Sequence, residues 1–154
     1  MKAWLRLSWL FLGVAALIAA TNGAFARDAE TYTSLFSNLG AGGYDVVAYF
    51  TQGKAVEGTT AFTADYKDAT WRFASQTDRT LFLANPAKYA PQYGGYCAWA
   101  VGHNYTASGD PTVWKIVNGK LYLNYNTDVQ KQWNPDAAKW IAAGDRNWPS
   151  VLDK

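Results

Sequence analysis

Two stretches of this 154-residue chain follow the same course: QTDRTLFLANPAKY at residues 76–89 and NTDVQKQWNPDAAKW at residues 126–140. Each runs Thr-Asp, a helical stretch, Asn-Pro, Ala-Lys and an aromatic, and each follows a pair of strand-like runs. The spacing differs by a residue on either side of Asn-Pro. Two readings stand: an internal duplication, or two hairpin-to-helix passages that use the same caps independently. Both commit the chain to an α+β fold, a small antiparallel sheet of hairpins packed with several short helices in a single compact domain.

The local signals fill in this plan. Residues 60–66 and 69–74 are aromatic and β-branched runs joined by the polar pair Lys67-Asp68, which predicts a hairpin. Residues 113–117 and 120–125 flank Asn118-Gly119, the residue pair suited to positive φ at both centres of a type I′ turn. Ser75 with Asp78 three residues on predicts a helix N-terminus that places Leu81 and Phe82 on one side, and Pro86 ends that helix. Asn126 caps a helix through Trp133, and Asn134-Pro135 caps a second one that ends at Gly144. Residues 46–50, β-branched and aromatic, read as a strand. A short helix is expected within residues 33–39 and another near Gly95.

The first 26 residues have a basic start at Lys2 and Arg6, an apolar core over residues 7–20 and Ala24-Phe25-Ala26 as a small-x-small site, the pattern of a secretory signal. The apolar core is short of the roughly 20 residues of a membrane span, so a periplasmic or secreted protein with no retained span is expected. Without that segment Lys+Arg falls from 14 to 12 and matches the 12 Asp+Glu. A neutral chain has no phosphate-tracking surface, which argues against nucleic acid as a partner. The single Cys97 forms no internal disulfide, so packing alone holds the exported fold.

The run YKDATWRFASQTDRTLFLANPAKY at residues 66–89 resembles the YHS domain. That family runs Tyr-Lys-Gly, an aromatic strand, Phe-Cys-Ser, a Cys-containing helix start and Phe-x-x-Asn-Pro-x-x-Tyr. Tyr66, Lys67, Phe73, Ser75, Phe82, Asn85, Pro86, Lys88 and Tyr89 match it without a gap. The flanks, Gly43-Tyr44-Asp45 with Val47-Ala48-Tyr49 before and YGGYCA at residues 93–98 after, are similar to a longer, exported and cysteine-poor branch. The chain is thus expected to divide into the signal at residues 1–26, a weakly patterned N-terminal arm at 27–43, a YHS-like domain at 44–149, the part the resemblance covers, and a tail at 150–154. Metal-binding relatives use thiolates at a strand end and the following helix. Here those positions hold Ala74, Thr77 and Asp78, so the family's cysteine cluster does not form at the usual place.

The stretch YGGYCAWAVGHNY at residues 93–105 holds the only cysteine and the only histidine. In a helix, Cys97 and His103 sit about 9 Å apart along the axis and roughly 120° apart around it. In a strand they lie about 20 Å apart. Only a turn at Gly102 brings them together. If a metal binds, Cys97 with His103 and a carboxylate is the set, and copper the ion that soft sulfur and imidazole suit. A helix start near Gly95 would lower the Cys97 pKa; a buried, inert thiol is the other reading. Polar groups among aromatics extend the candidate ligand site to Tyr44, Asp45, Tyr49, Tyr93, Tyr96, Asp110 and Asn124. With one His and two Glu, and no triad, carboxylate-pair or phosphate-loop pattern, the expectation is a binding module more than an enzyme. It would hold a small ligand or metal ion in an aromatic-lined site near Cys97. The alternatives are a thiol-dependent enzyme or redox sensor using Cys97, and a protein-contact surface.

Overall fold

The computed structural model describes residues 26–153, so the signal-like segment lies outside the described residues except for Ala26. After the turn at Gly40–Gly43 come α1 (Ala48–Thr51), the hairpin β1 (Thr59–Tyr66) and β2 (Ala69–Phe73), then α2 (Gln76–Ala84) and α3 (Pro86–Tyr89). A second turn at Gln92–Gly95 leads to α4 (Ala98–Gly102), the hairpin β3 (Asp110–Val117) and β4 (Lys120–Asn124), α5 (Thr127–Trp133) and α6 (Ala137–Asn147). The expected α+β class is what is found, with the strands in two separate antiparallel pairs.

The two halves match in backbone detail. Three consecutive positive φ angles, 48°, 61° and 86° at Ala41, Gly42 and Gly43, recur as 56°, 61° and 87° at Tyr93, Gly94 and Gly95. Tyr44 then bridges Glu57 as Tyr96 bridges Ser108. Each hairpin turns on two residues with positive φ, Lys67-Asp68 and Asn118-Gly119, as type I′ geometry requires. Each also has an irregularity at the same place, between Thr59 and Thr63 and between Asp110 and Trp114. The Ser75 hydroxyl accepts the Asp78 N–H at 3.1 Å, and the Asn126 amide oxygen accepts the Val129 N–H at 2.9 Å. The repeated sequence pattern is therefore a repeated structure.

The halves share their packing through β4. Leu121 and Leu123 face a core with Val46, Val47, Tyr49, Trp71, Phe73 and Phe82, while Tyr122 faces one with Tyr93, Val101, Trp133, Val151 and Leu152. Alternation along a strand buried on both faces accounts for this.

Several local expectations are corrected. Residues 46–50 are no strand: Asp45 Oδ1 accepts the Val47 N–H at 2.9 Å and the Ala48 N–H at 3.4 Å, which starts α1. Helix geometry separates neighbours by about 100°, so Phe82 is buried while Leu81 is 37% exposed. Asn134 has helical backbone angles, and α5 passes through a 3-10 turn into α6 without a capping bond there. Gly144 lies inside α6, where a Cβ would stand 2.6 Å from the Tyr93 hydroxyl. Residues 33–39 form no helix, and the helix after Gly95 starts only at Ala98 because Gly94 and Gly95 have positive φ.

The arm and tail belong to the domain. Tyr32 N–H donates to Gly94 O at 2.9 Å, the Tyr96 hydroxyl to Ala29 O at 2.9 Å and Asp28 N–H to Leu152 O at 2.9 Å. Ser150–Asp153 is a 3-10 turn that buries Val151 and Leu152. No helix among the described residues is long and apolar enough to cross a membrane.

Candidate functional site

Most of the candidate residues are occupied with the fold. Tyr44 reaches Glu57 at 3.5 Å, and the Tyr49 hydroxyl donates to Pro111 O at 2.6 Å. Asp110 Oδ1 accepts both the N–H and the hydroxyl of Thr112 at 2.7 Å. The Tyr93 hydroxyl donates to Asp145 Oδ1 at 2.8 Å, with Ile141 O at 3.1 Å. Burial pushes the Tyr49 and Tyr93 phenols up, the latter with Asp145 beside it, and raises Tyr96 and Tyr122 to about 12.

Asp45 and Cys97 occupy the same place in the two halves. Asp45 Oδ2 accepts the Ala74 N–H at 2.8 Å, just as Cys97 Sγ accepts the Tyr125 N–H at 3.2 Å. At the helix starts, the Asp45 carboxylate accepts from the Val47 and Ala48 N–H groups, whereas Cys97 makes no side-chain cap bond and the Ala100 and Trp99 N–H groups only pull its thiol down. Cys97 therefore takes the capping position of α4 rather than a place in its first turn.

The surroundings then diverge. In the first half Asp78, three residues past its cap, hydrogen-bonds Asp45; burial raises the Asp45 carboxyl above its ordinary value, the N–H groups of Ala74 and Val47 oppose this, and Asp78 raises it further. Both carboxyls are buried. In the second half the residue three past the cap is Val129, and where the first half has Phe73 and Phe82 the second has Asn124 and Trp133. Asn124 is fully buried, its Oδ1 3.9 Å from the Cys97 sulfur. Asn124 Nδ2 and Trp133 Nε1 are buried without a hydrogen-bond partner among the described residues.

A pocket of about 230 Å³ opens at Cys97, walled by Trp99, Tyr105, Ala107, Tyr125 and Val129. Tyr105 and Tyr125 are about half exposed, at 49% and 54%, and form its rim, whereas Cys97 is 1% exposed and forms its floor. Burial pushes the thiol up from its ordinary value, against the opposing pull of the Ala100, Tyr125 and Trp99 N–H groups. The sulfur thus keeps its proton through neutral pH and presents a soft, weakly polar surface.

Cys97 and His103 are not brought together. They cap opposite ends of α4. His103 is exposed, bonds Trp99 O through Nδ1 at 2.8 Å and stacks on Trp140 at 4.2 Å between ring centres. No group of three His, Cys, Asp or Glu able to hold a metal is found among the described residues.

Of the candidates, Cys97 alone lines this pocket. Asn124 lies behind it, while Tyr44, Asp45, Tyr49, Tyr93, Tyr96 and Asp110 lie elsewhere. Sequence reasoning missed Trp99, Tyr105, Ala107, Tyr125 and Val129 as walls. The near-repeat held one signal for them: Val129 stands where the first half has Asp78.

Comparison with family models, curated proteins and solved structures finds no match.

Proposed function

We propose that this protein is an exported YHS-like binding module whose ligand is a small, ring-sized apolar molecule held over Cys97. The observation that carries this reading is the pocket of about 230 Å³ with aromatic walls and a thiol floor. An apolar cavity of about 150 Å³ is enough for benzene, so one or two fused rings fit. Most ligand sites exceed about 300 Å³, which argues against larger molecules. The thiol contributes polarizable contact, and Trp99 with the two rim tyrosines contributes ring stacking.

The thiol-enzyme or redox-sensor reading draws on the N–H groups around the sulfur, which would favour a thiolate. Burial opposes it. A small alkylating reagent applied to the folded protein, with and without indole, separates the two. The binding reading predicts slow alkylation that accelerates only above the ordinary thiol range and that indole suppresses saturably. Fast alkylation at neutral pH, indifferent to indole, would support the enzyme reading instead.

A further inference from the structure

Resting on the reading of the space over Cys97 as a ring-binding pocket, we propose that the protein pairs with a second copy of itself, the Phe36 ring of each entering that pocket on the other. Leu35 and Phe36 are 88% and 95% exposed, the two most exposed large apolar side chains among the described residues. They form the centre of a turn closed by the Ser37 N–H donating to Ser34 O at 3.0 Å. The turn is fixed at both ends: the Tyr32 N–H donates to Gly94 O at 2.9 Å before it, and Asn38 O accepts the Thr70 N–H at 2.8 Å after it. The fold thus holds a phenyl ring out in solvent. Apolar surface held in water is unfavourable, so a built display of this kind marks a contact site.

The pocket matches that ring in size. A phenyl ring needs about the 150 Å³ of a benzene cavity, and the pocket offers about 230 Å³. Ring and pocket also lie on one face: Ser34, from the turn, and Tyr125, from the pocket rim, line the same cleft. A two-fold pair buries one self-complementary patch, in which each copy supplies a residue and receives its counterpart. A protruding ring beside a pocket that fits it meets that condition, whereas a ring and pocket on opposite faces would build an open chain of copies.

Charge favours a second copy over a charged partner. Residues 32–38 carry no charge. Among the described residues, Asp110 is the one charged side chain that lines the pocket or the adjoining cleft. Its Oδ1 already accepts the N–H and the hydroxyl of Thr112. Two identical faces bring like charges together, so a face nearly free of charge can meet itself. The centres of protein interfaces are likewise depleted of charge and enriched in Tyr, Trp and Phe.

The test is sedimentation equilibrium of the wild type, Phe36→Ser and Ala107→Phe, with calorimetric titration of indole into each. The wild type should dimerise reversibly, and saturating indole should dissociate the dimer. Phe36→Ser, a change at an exposed residue, should still bind indole and should weaken dimerisation about a hundredfold, because two ring contacts are lost and each contributes about tenfold. Ala107→Phe fills the pocket and should weaken dimerisation as much. An equimolar mixture of the two variants should associate more tightly than either alone, since the Phe36 of one meets the open pocket of the other. A wild type that stays monomeric overturns the proposal, and if it still binds indole the pocket reading stands. A dimer that indole leaves intact, unchanged association in either variant, or a mixture no tighter than its components would each overturn it too. Phe36-dependent binding of a monomeric wild type to phosphatidylcholine vesicles would assign the turn to a lipid surface instead.

Discussion

Among the described glycines, Gly94 is the one where an added Cβ meets the closest backbone atom, which makes Gly94→Ala a severe local perturbation. Gly94 has φ +61°, and a Cβ there would lie 1.7 Å from the Glu30 carbonyl oxygen, a backbone atom that moves only if the arm moves. The left-handed backbone alone costs about 1–2 kcal/mol for alanine. Lifting the arm also breaks the Tyr32 to Gly94 and Tyr96 to Ala29 hydrogen bonds, each contributing about 1 kcal/mol. The expected loss is about 3–4 kcal/mol, a large part of the roughly 5–15 kcal/mol that holds a domain folded. Gly53→Ala is the matched control, since Gly53 has φ +66° with nothing within 4 Å of its Cβ, and it should lose only the backbone part. Urea titrations followed by tryptophan fluorescence give both values. Equal losses in the two variants would refute the docking of the arm on the second positive-φ turn.

Other outcomes follow from the paired environments of the two halves. The raised Asp45 carboxyl contributes stability that is full below its ordinary value of 3.8 and is lost as pH rises through the folded-state value; Asp78→Asn, which removes the facing carboxyl, should flatten that fall in urea titrations from acid to neutral pH. Tyr96 and Tyr122, raised from 10.0 to about 12, contribute stability that is lost as pH rises from 10.0 toward 12, so tyrosinate absorbance should appear in a cooperative step with alkaline unfolding. Cys97→Ser keeps an acceptor for the Tyr125 N–H and should change stability by no more than about 1 kcal/mol, whereas Cys97→Ala leaves that N–H unmet and should cost about 1–3 kcal/mol. Thermal melts of the two variants side by side check the order.

What was legible in the sequence was local chemistry. The hairpins at Lys67-Asp68 and Asn118-Gly119 and the caps at Ser75 and Asn126 rest on contacts within three residues, and each formed as expected. Residues 46–50 misled because their composition suits a strand, while the Asp45 carboxylate and the turn before it impose a helix start. The equivalence of Asp45 and Cys97 was out of reach for a further reason. It depends on N–H groups 29 and 28 residues away, at Ala74 and Tyr125, which only the closed hairpins deliver. The pocket walls share this difficulty, because Trp99, Tyr105 and Val129 meet around Cys97 only through the packing of α4 and α5. Separating Cys97 from His103 needed the bounds of α4, which the glycines before it shift toward the C-terminus.

A ring-sized apolar molecule should bind in the space over Cys97. Ala107 lines that space and is half-buried, so Ala107→Phe fills it from the wall without touching the sulfur. Calorimetric titration of indole into the wild type and into Ala107→Phe measures that binding. Indole should bind the wild type saturably and one-to-one, and that binding should be lost in a variant that remains folded. Absence of binding to the wild type, or equal binding to both proteins, would contradict it.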